Sequence, residues 1–406
     1  MQRSKNKEQE PPRPIFCRTC EYRGSLQKAV DIAECYGFTL VEPITITKRL
    51  PTGLPKFKKE ALREKDFSDF PKEYMSTLKK YIDGEMHRFA QPIMLCHINK
   101  SESNSTEFRL EIIGTKKSVA EATVIRVAGV ILDELGFKNI HIRLNSIGDK
   151  ESGNVFLREL TNYYRQHISN LSPVLQSQIK KNILKIYSNT SEKYREINDN
   201  APKPIQFLTE ESRGHLSEIL DFLENLGLKY EMGDELVGTS ACFPKTLYEI
   251  IEDGNRKEKN ILARGERYNH LAQKIGFNRK IPIVGISIPI QKRFLRKDRY
   301  LKEISIREPK IYFIHLGYDA KKRSLGILDV FRKTKVKVYQ SLCSDSFASQ
   351  LRMAEQTGVP YTIIMGQKEV MESSVIFRDM ETRYQKNITL SRLENFLKDL
   401  KRKKVV

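Results

Sequence analysis

Over its last hundred residues the chain changes periodicity at short, regular intervals. The runs "KIYFIHL", "VKVYQS", "YTIIMG" and "SVIFRD" are rich in β-formers. Between and after them, "AKKRSLGILDVFRK", "SFASQLRMAEQTG" and "LSRLENFLKDLKRK" carry apolar residues at helical spacing. Strands that alternate with helices predict a small α/β domain over 305–406. A basic linker, "QKRFLRKDRY", leads into it.

The preceding part reads differently. "PIMLCHI" and "EFRLEIIG" are two short strands around a Ser- and Asn-rich loop, which predicts an antiparallel hairpin. "SVAEATVIRVAGVILDELG" predicts a strong amphipathic helix ended by Gly136. "NIHIRLNSIGD", "KYEM", "TLYEI", "NILARGERY" and "PIVGISI" supply further strands, and Ser25–Tyr36, "YMSTLKKYI" and Leu216–Leu226 supply helices. The expected fold is therefore α+β: a core domain from 15–150 and 216–298, a polar helical insertion at 151–215, and the α/β domain. Residues 1–14, "MQRSKNKEQEPPRP", read as a disordered tail with no secretory signal.

No run of 18 apolar residues interrupts the 406, so no membrane-spanning helix is expected. Six cysteines scattered without an export signal point to reduced thiols and a cytoplasmic chain. Cys17 and Cys20 have zinc-ligand spacing, but no second pair follows to complete about four ligands, so no metal is expected. The formal net charge is +20, and the excess is spread along the chain with local density in "KRSLGILDVFRKTKVKV" and "KRKKVV". Clustered Lys and Arg release counterions from phosphates, so a nucleic-acid partner is favoured.

Several segments, in order, resemble the histidyl-tRNA synthetase family. "YGFTLVEPI" is similar to that family's first class-defining motif, and "EIIG", "AEATVI" and "LNSIGD" follow where the family has similar strings. "NAPKPIQFLTEESRGHLSEILDFLENLGLKYEMGDELV", "GERYNHLAQKIG" and "PIVGISIPIQKR" resemble the approach to the histidine pocket and the last catalytic strands. The stretch from "SFASQLRMAEQTG" to "ENFLKDL" resembles the anticodon-binding domain nearly throughout. The resemblance covers about Leu26 to Leu400. It implies a class II antiparallel sheet flanked by helices, a homodimer, and activation of histidine with ATP and Mg²⁺ before transfer to tRNA.

The residues that would carry this activation depart from the family pattern. Adenylation needs charged groups against the reacting phosphate and carboxylate. Where the family writes "LVRGLDYY", this chain has Gly238 at the arginine position and Ala241 at the acidic one. Where it writes "LRPE", the chain has Asp69-Phe70-Pro71-Lys72, and a lysine would repel the substrate ammonium. The loop between Lys100 and Glu111 is short for one that folds over ATP. In the third motif Gln291 replaces a glutamate, with Lys292 and Arg293 beside it. Arg267 and Tyr268 persist from "GGRYD", flanked by Glu266 and Asn269. By the resemblance, the eroded positions are Phe70, Lys72, Gly238, Ala241 and Gln291, and the residual pocket candidates are Arg267, Tyr268, Lys292 and Arg293. No confident catalytic residue or cofactor follows; ATP and Mg²⁺ enter only if the chain is active.

The C-terminal domain departs least. Gln367, Lys368, Glu369 and Arg378 are expected to face RNA by the resemblance. Lys333, Lys335 and Lys337 alternate in "KTKVKV" and are expected on one face of a strand, along phosphates or as a charged edge. The expectation is a synthetase-like chain with an eroded site that binds tRNA or structured RNA. An active divergent histidine–tRNA ligase is the alternative. A protein-binding regulator like the regulatory subunit of ATP phosphoribosyltransferase is a third, which the C-terminal domain argues against.

Overall fold

The computed structural model describes residues 24–41, 71–88, 91–100, 106–189, 191–238, 244–253, 260–274, 276–290, 311–342 and 344–402. The N-terminal tail, the Cys17–Cys20 pair, Phe70, Ala241, Gln291, Lys292 and Arg293 lie outside these residues, as does the side chain of Lys72.

The core domain is built on eight strands: β1 (Thr39–Leu40), β2 (Ile93–Lys100), β3 (Thr106–Ile113), β4 (Ile140–Ser146), β5 (Tyr230–Met232), β6 (Thr246–Glu252), β7 (Asn260–Tyr268) and β8 (Ile283–Ile290). Their order across the sheet is β1-β2-β3-β8-β7-β6-β4-β5. Pairing is antiparallel except at the two edges, where β1 joins β2 and β5 joins β4 in parallel. The expected hairpin is present, and its ladder runs to the ends of both strands, with Lys100 opposite Thr106.

One face of this sheet is covered by α1 (Ser25–Cys35), α3 (Val119–Glu134) and α8 (Glu210–Asn225). α3 was expected to be amphipathic, but twelve of its sixteen residues are buried. Its apolar side meets the sheet, while α1, α8 and a helix of the C-terminal domain cover its back. α8 begins at Glu210 rather than Leu216, because Thr209 caps it by accepting from Ser212 N–H. The polar stretch before it folds as α4 (Lys150–Gln166), α5 (Pro173–Lys181), α6 (Leu184–Tyr187) and α7 (Glu192–Asp199) around their own core of Phe156, Leu160, Tyr164 and Tyr187. Asp149 holds this module to α8: it caps α4 and also accepts from Thr209 and Ser212.

The other face carries α2 (Lys72–Asp83) and the short α9 (Leu271–Lys274), packed on Leu95, Ile113, Tyr268 and Ile283.

The C-terminal domain alternates as expected: β9 (Ile311–His315), α10 (Tyr318–Lys333), β10 (Val338–Gln340), α11 (Phe347–Thr357), β11 (Tyr361–Met365), α12 (Gln367–Met371), β12 (Ser374–Asp379), β13 (Gln385–Thr389) and α13 (Leu390–Arg402). Its sheet order is β10-β9-β11-β12-β13. β9, β10 and β11 are parallel, whereas β12 and β13 form an antiparallel extension. The strand β13 was not expected, since "QKNIT" exposes all but Ile388.

α10 lies between the two sheets, and one apolar core runs through both domains. Polar contacts rim that seam. Asp329 on α10 accepts from Tyr36 and Arg126, Lys337 pairs with Glu34, and Arg332 Nη1 reaches Glu134 at 3.1 Å.

His315, at the end of β9, is fully buried, and neither ring nitrogen meets a partner at hydrogen-bond geometry. Burial, reinforced by Lys321, pulls its pKa down to about 4. An unfolded histidine titrates near 6.5, so between pH 6.5 and 4 the unfolded chain binds the extra proton. This contribution is fully present above 6.5 and is lost as pH falls through that window. The chain is expected to be about 2 kcal/mol less stable at pH 5 than at pH 7 from this group alone. Denaturant midpoints at both pH values check it: His315→Gln should flatten the difference, and an unchanged difference would rule out this origin.

Candidate functional site

Lys72, which stands where the resemblance expects the group that binds the substrate ammonium, opens α2, so the expected site is on the sheet face that carries α2. Period-two alternation decides what stands there. On β2 and β3, Cys96, Ile98, Phe108, Leu110 and Ile112 turn toward α3, so His97, Asn99, Glu107, Arg109 and Glu111 turn to the opposite face. This face is not bare of charge, contrary to what the eroded positions suggest.

Its charges close on one another. Arg109 donates from Nε and Nη2 to Glu111 Oε1 at 3.2 and 3.0 Å. His97 Nε2 lies 3.0 Å from Glu111 Oε2, and its Nδ1 lies 2.9 Å from Asn99 Oδ1. Glu111 and His97 are fully buried, and Arg109 is 3 % exposed. Burial would raise the Glu111 carboxyl, but His97 and Arg109 outweigh it and hold it down to about 2. Ser287 Oγ donates to Glu107 at 2.7 Å.

α2 lays Tyr74 over this cluster. Its ring sits 4.8 Å from the Arg109 guanidinium and 5.2 Å from the Tyr268 ring, edge-on to the latter. Its hydroxyl donates to Gly285 O at 3.0 Å. Gly285 makes the arrangement possible: a Cβ there would lie 2.8 Å from Glu111 Cγ and 3.1 Å from Tyr74 Cε1. Tyr268 donates to Glu266, whose carboxyl burial pushes up.

Two residual pocket candidates come out differently. Tyr268 is on this face, but as a buried packing residue. Arg267, its neighbour, points through the sheet to the α3 side. There it donates to both oxygens of Glu121, to Thr115 O at 2.7 Å and to Lys117 O at 3.0 Å. Glu121 also accepts from Thr246 Oγ1 at 3.0 Å and lies 2.8 Å from His215 Nε2. Burial raises the Glu121 carboxyl, but Arg267 and His215 outweigh it and keep it far below the usual carboxylate range. Arg267 is thus a structural tie between β7 and the start of α3. Of the eroded positions, Gly238 is described: its φ is 68°, and a Cβ would meet Leu247 Cδ2 at 3.2 Å.

The candidate RNA residues do not form one surface. Lys333 ends α10, Lys335 turns with φ 55°, and Lys337 precedes β10, so the three do not line a strand. Lys337 is already paired with Glu34 of α1. Glu369 faces inward rather than toward RNA: it is 8 % exposed and accepts from Gly366 N–H at 2.9 Å, capping α12. Gln367 and Lys368 are exposed just beyond the C-terminal end of β11. Arg378 on β12 is half-buried and pairs with Thr362 near the other end of β11.

The signals for the missed residues are visible in retrospect. Glu107, Arg109 and Glu111 alternate with Phe108, Leu110 and Ile112, which marks a half-buried strand with a polar face. Glu121 is an acid among the alanines and valines that open the helix, Val119, Ala120, Ala122 and Val124.

Residues 310–400 match a family model described as an anticodon binding domain. The histidine–tRNA ligase of Fervidobacterium nodosum is 28% identical over 392 residues, covering 95% of this chain and 89% of that protein. That of Desulforamulus reducens is 24% identical over 339 residues, covering 81% of this chain and 80% of that protein. Among solved structures, apo histidyl-tRNA synthetase of S. aureus overlays with a TM-score of 0.50 at 21% identity, covering 92% of this chain and 94% of that one. The antiparallel sheet flanked by helices, with the second sheet domain after it, is the class II arrangement in that structure's fold. The chain is thus similar along nearly its whole length to histidine–tRNA ligases, and its residues 310–400 match the anticodon binding domain.

Proposed function

We propose that this chain binds tRNA or another structured RNA through its C-terminal domain and does not activate histidine. The observation that carries this reading is the self-neutralised cluster of Arg109, Glu111 and His97 under Tyr74. For Arg109 to turn to a developing charge it would have to leave Glu111, and unpairing a buried ion is costly. The left-handed backbone at Gly238 supports it further, since an arginine there would be strained. The resemblance of "YGFTLVEPI" extends the proposal to a homodimer, and the domain scheme of core, helical insertion and RNA-binding module belongs to it.

RNA binding by exposed cations falls steeply with salt, by a slope of about 0.7–0.9 per phosphate contact. Filter binding of total tRNA is expected to weaken as salt rises from 50 to 200 mM (order of magnitude set by that slope). Lys368→Glu should weaken it about tenfold at low salt, by removing a contact and adding repulsion. Retention of tRNA that is indifferent to salt and to Lys368→Glu would contradict the reading.

An active divergent ligase is the second reading, favoured by the names of the relatives and by a guanidinium and carboxylate on the expected face. It would require ATP and Mg²⁺, and Arg109 to leave Glu111 for substrate.

A further inference from the structure

We propose that Lys117 and Lys321 form a phosphate clamp across the domain seam, with Asp345 lying in it as a built-in stand-in for the ligand. One ammonium comes from each domain: Lys117 from the lead-in to α3, Lys321 from α10. Asp345 accepts from Lys117 through Oδ2 and from Lys321 through Oδ1, one lysine per oxygen. Two cations on one carboxylate reproduce the way a phosphate spreads its charge over several donors.

The surroundings suit a dianion better than a single carboxylate. Lys321 is 4 % exposed and therefore poorly solvated, and Lys117 stands close enough to repel it. His315 is fully buried near Lys321 and Asp345, with Gln340 beside its ring. Asp345 itself is 54 % exposed and sits on the loop ahead of α11, so it is the replaceable member.

A phosphate could be inorganic or small, or belong to an RNA backbone. Only the latter rests on the function proposed above. The test uses the full chain, with chloride adjusted to constant ionic strength. Asp345→Asn empties the clamp of its carboxylate. It is expected to bind inorganic phosphate at least tenfold more tightly than wild type by calorimetry (about 1.4 kcal/mol). Its melting temperature should fall in chloride and recover in phosphate. Asp345→Ser should behave alike, and adding Lys321→Met should abolish the gain. Total tRNA then distinguishes the sources. A parallel gain for tRNA assigns the clamp to the RNA backbone, and a gain for phosphate alone assigns it to a small phosphate compound. If both Asp345 variants bind phosphate no better than wild type, or keep the gain with Lys321→Met, the clamp is an ion pair only and the proposal fails. Wild-type tRNA binding is measured separately, so failure of the RNA reading leaves the phosphate result intact.

Discussion

Arg267→Met is expected to destabilise the chain by about 3–5 kcal/mol, the usual cost of leaving one member of a buried ion pair without its partner. Arg267 and Glu121 are both fully buried, and the guanidinium also satisfies the carbonyls of Thr115 and Lys117. Losing it leaves the buried Glu121 carboxylate to Thr246 and His215 alone and takes the guanidinium donors from the carbonyls of Thr115 and Lys117. Adding Glu121→Gln to Arg267→Met removes the uncompensated charge and should recover part of the loss, as expected of residues in one network. A pocket residue would behave otherwise: its replacement would leave the denaturant midpoint within about 0.5 kcal/mol of wild type. That outcome would restore Arg267 to the candidate active site.

The second large effect is expected at Gly265. Its Cβ would lie 2.2 Å from Tyr248 Cε2 and 2.5 Å from the carbonyl oxygen of Gly285. Tyr248 crosses flat over this position to donate to that carbonyl at 2.9 Å. The carbonyl is part of the β7–β8 ladder and cannot give way without breaking register. Gly265→Ala should therefore cost about 3 kcal/mol, the upper part of the overpacking range. Adding Tyr248→Ala should not restore the wild-type midpoint, because the backbone clash remains. Chemical denaturation of the three variants checks this, and a Gly265→Ala chain as stable as wild type would refute the packing described.

Much of the fold was legible because the apolar periods were strong. The hairpin of β2 and β3, the run that became α3 and the alternation from β9 to α13 each follow from spacing alone. The failures have physical causes. In "KTKVKV" the alternation of lysines mimics a strand, yet Thr334 closes α10 and Lys335 takes a left-handed turn, so the lysines point by turn geometry. β13 was missed because an edge strand with one buried residue has almost no apolar signal. Arg267 and Tyr268 were grouped by motif, although adjacent strand residues face opposite sides of a sheet. That rule alone would have separated them.

The candidate site was less legible than the fold. Residues expected to be lost could be named one by one, but the identity of what fills the face depends on register. Glu111 meets His97 through the pairing of β2 with β3, and Tyr74 lies over Arg109 only because Gly285 on β8 has no side chain. The ionic groups of the two faces also look alike in sequence. Glu121 on the α3 side and Glu111 on the open side each sit among apolar neighbours, and only the sheet tells them apart.

Histidine-dependent exchange of pyrophosphate into ATP, with Mg²⁺ present, tests the central claim most directly. The closed cluster of Arg109, Glu111 and His97 predicts exchange indistinguishable from a control without histidine. Exchange that depends on histidine and disappears in Arg109→Met would contradict it, and would show that the guanidinium beneath Tyr74 turns to substrate.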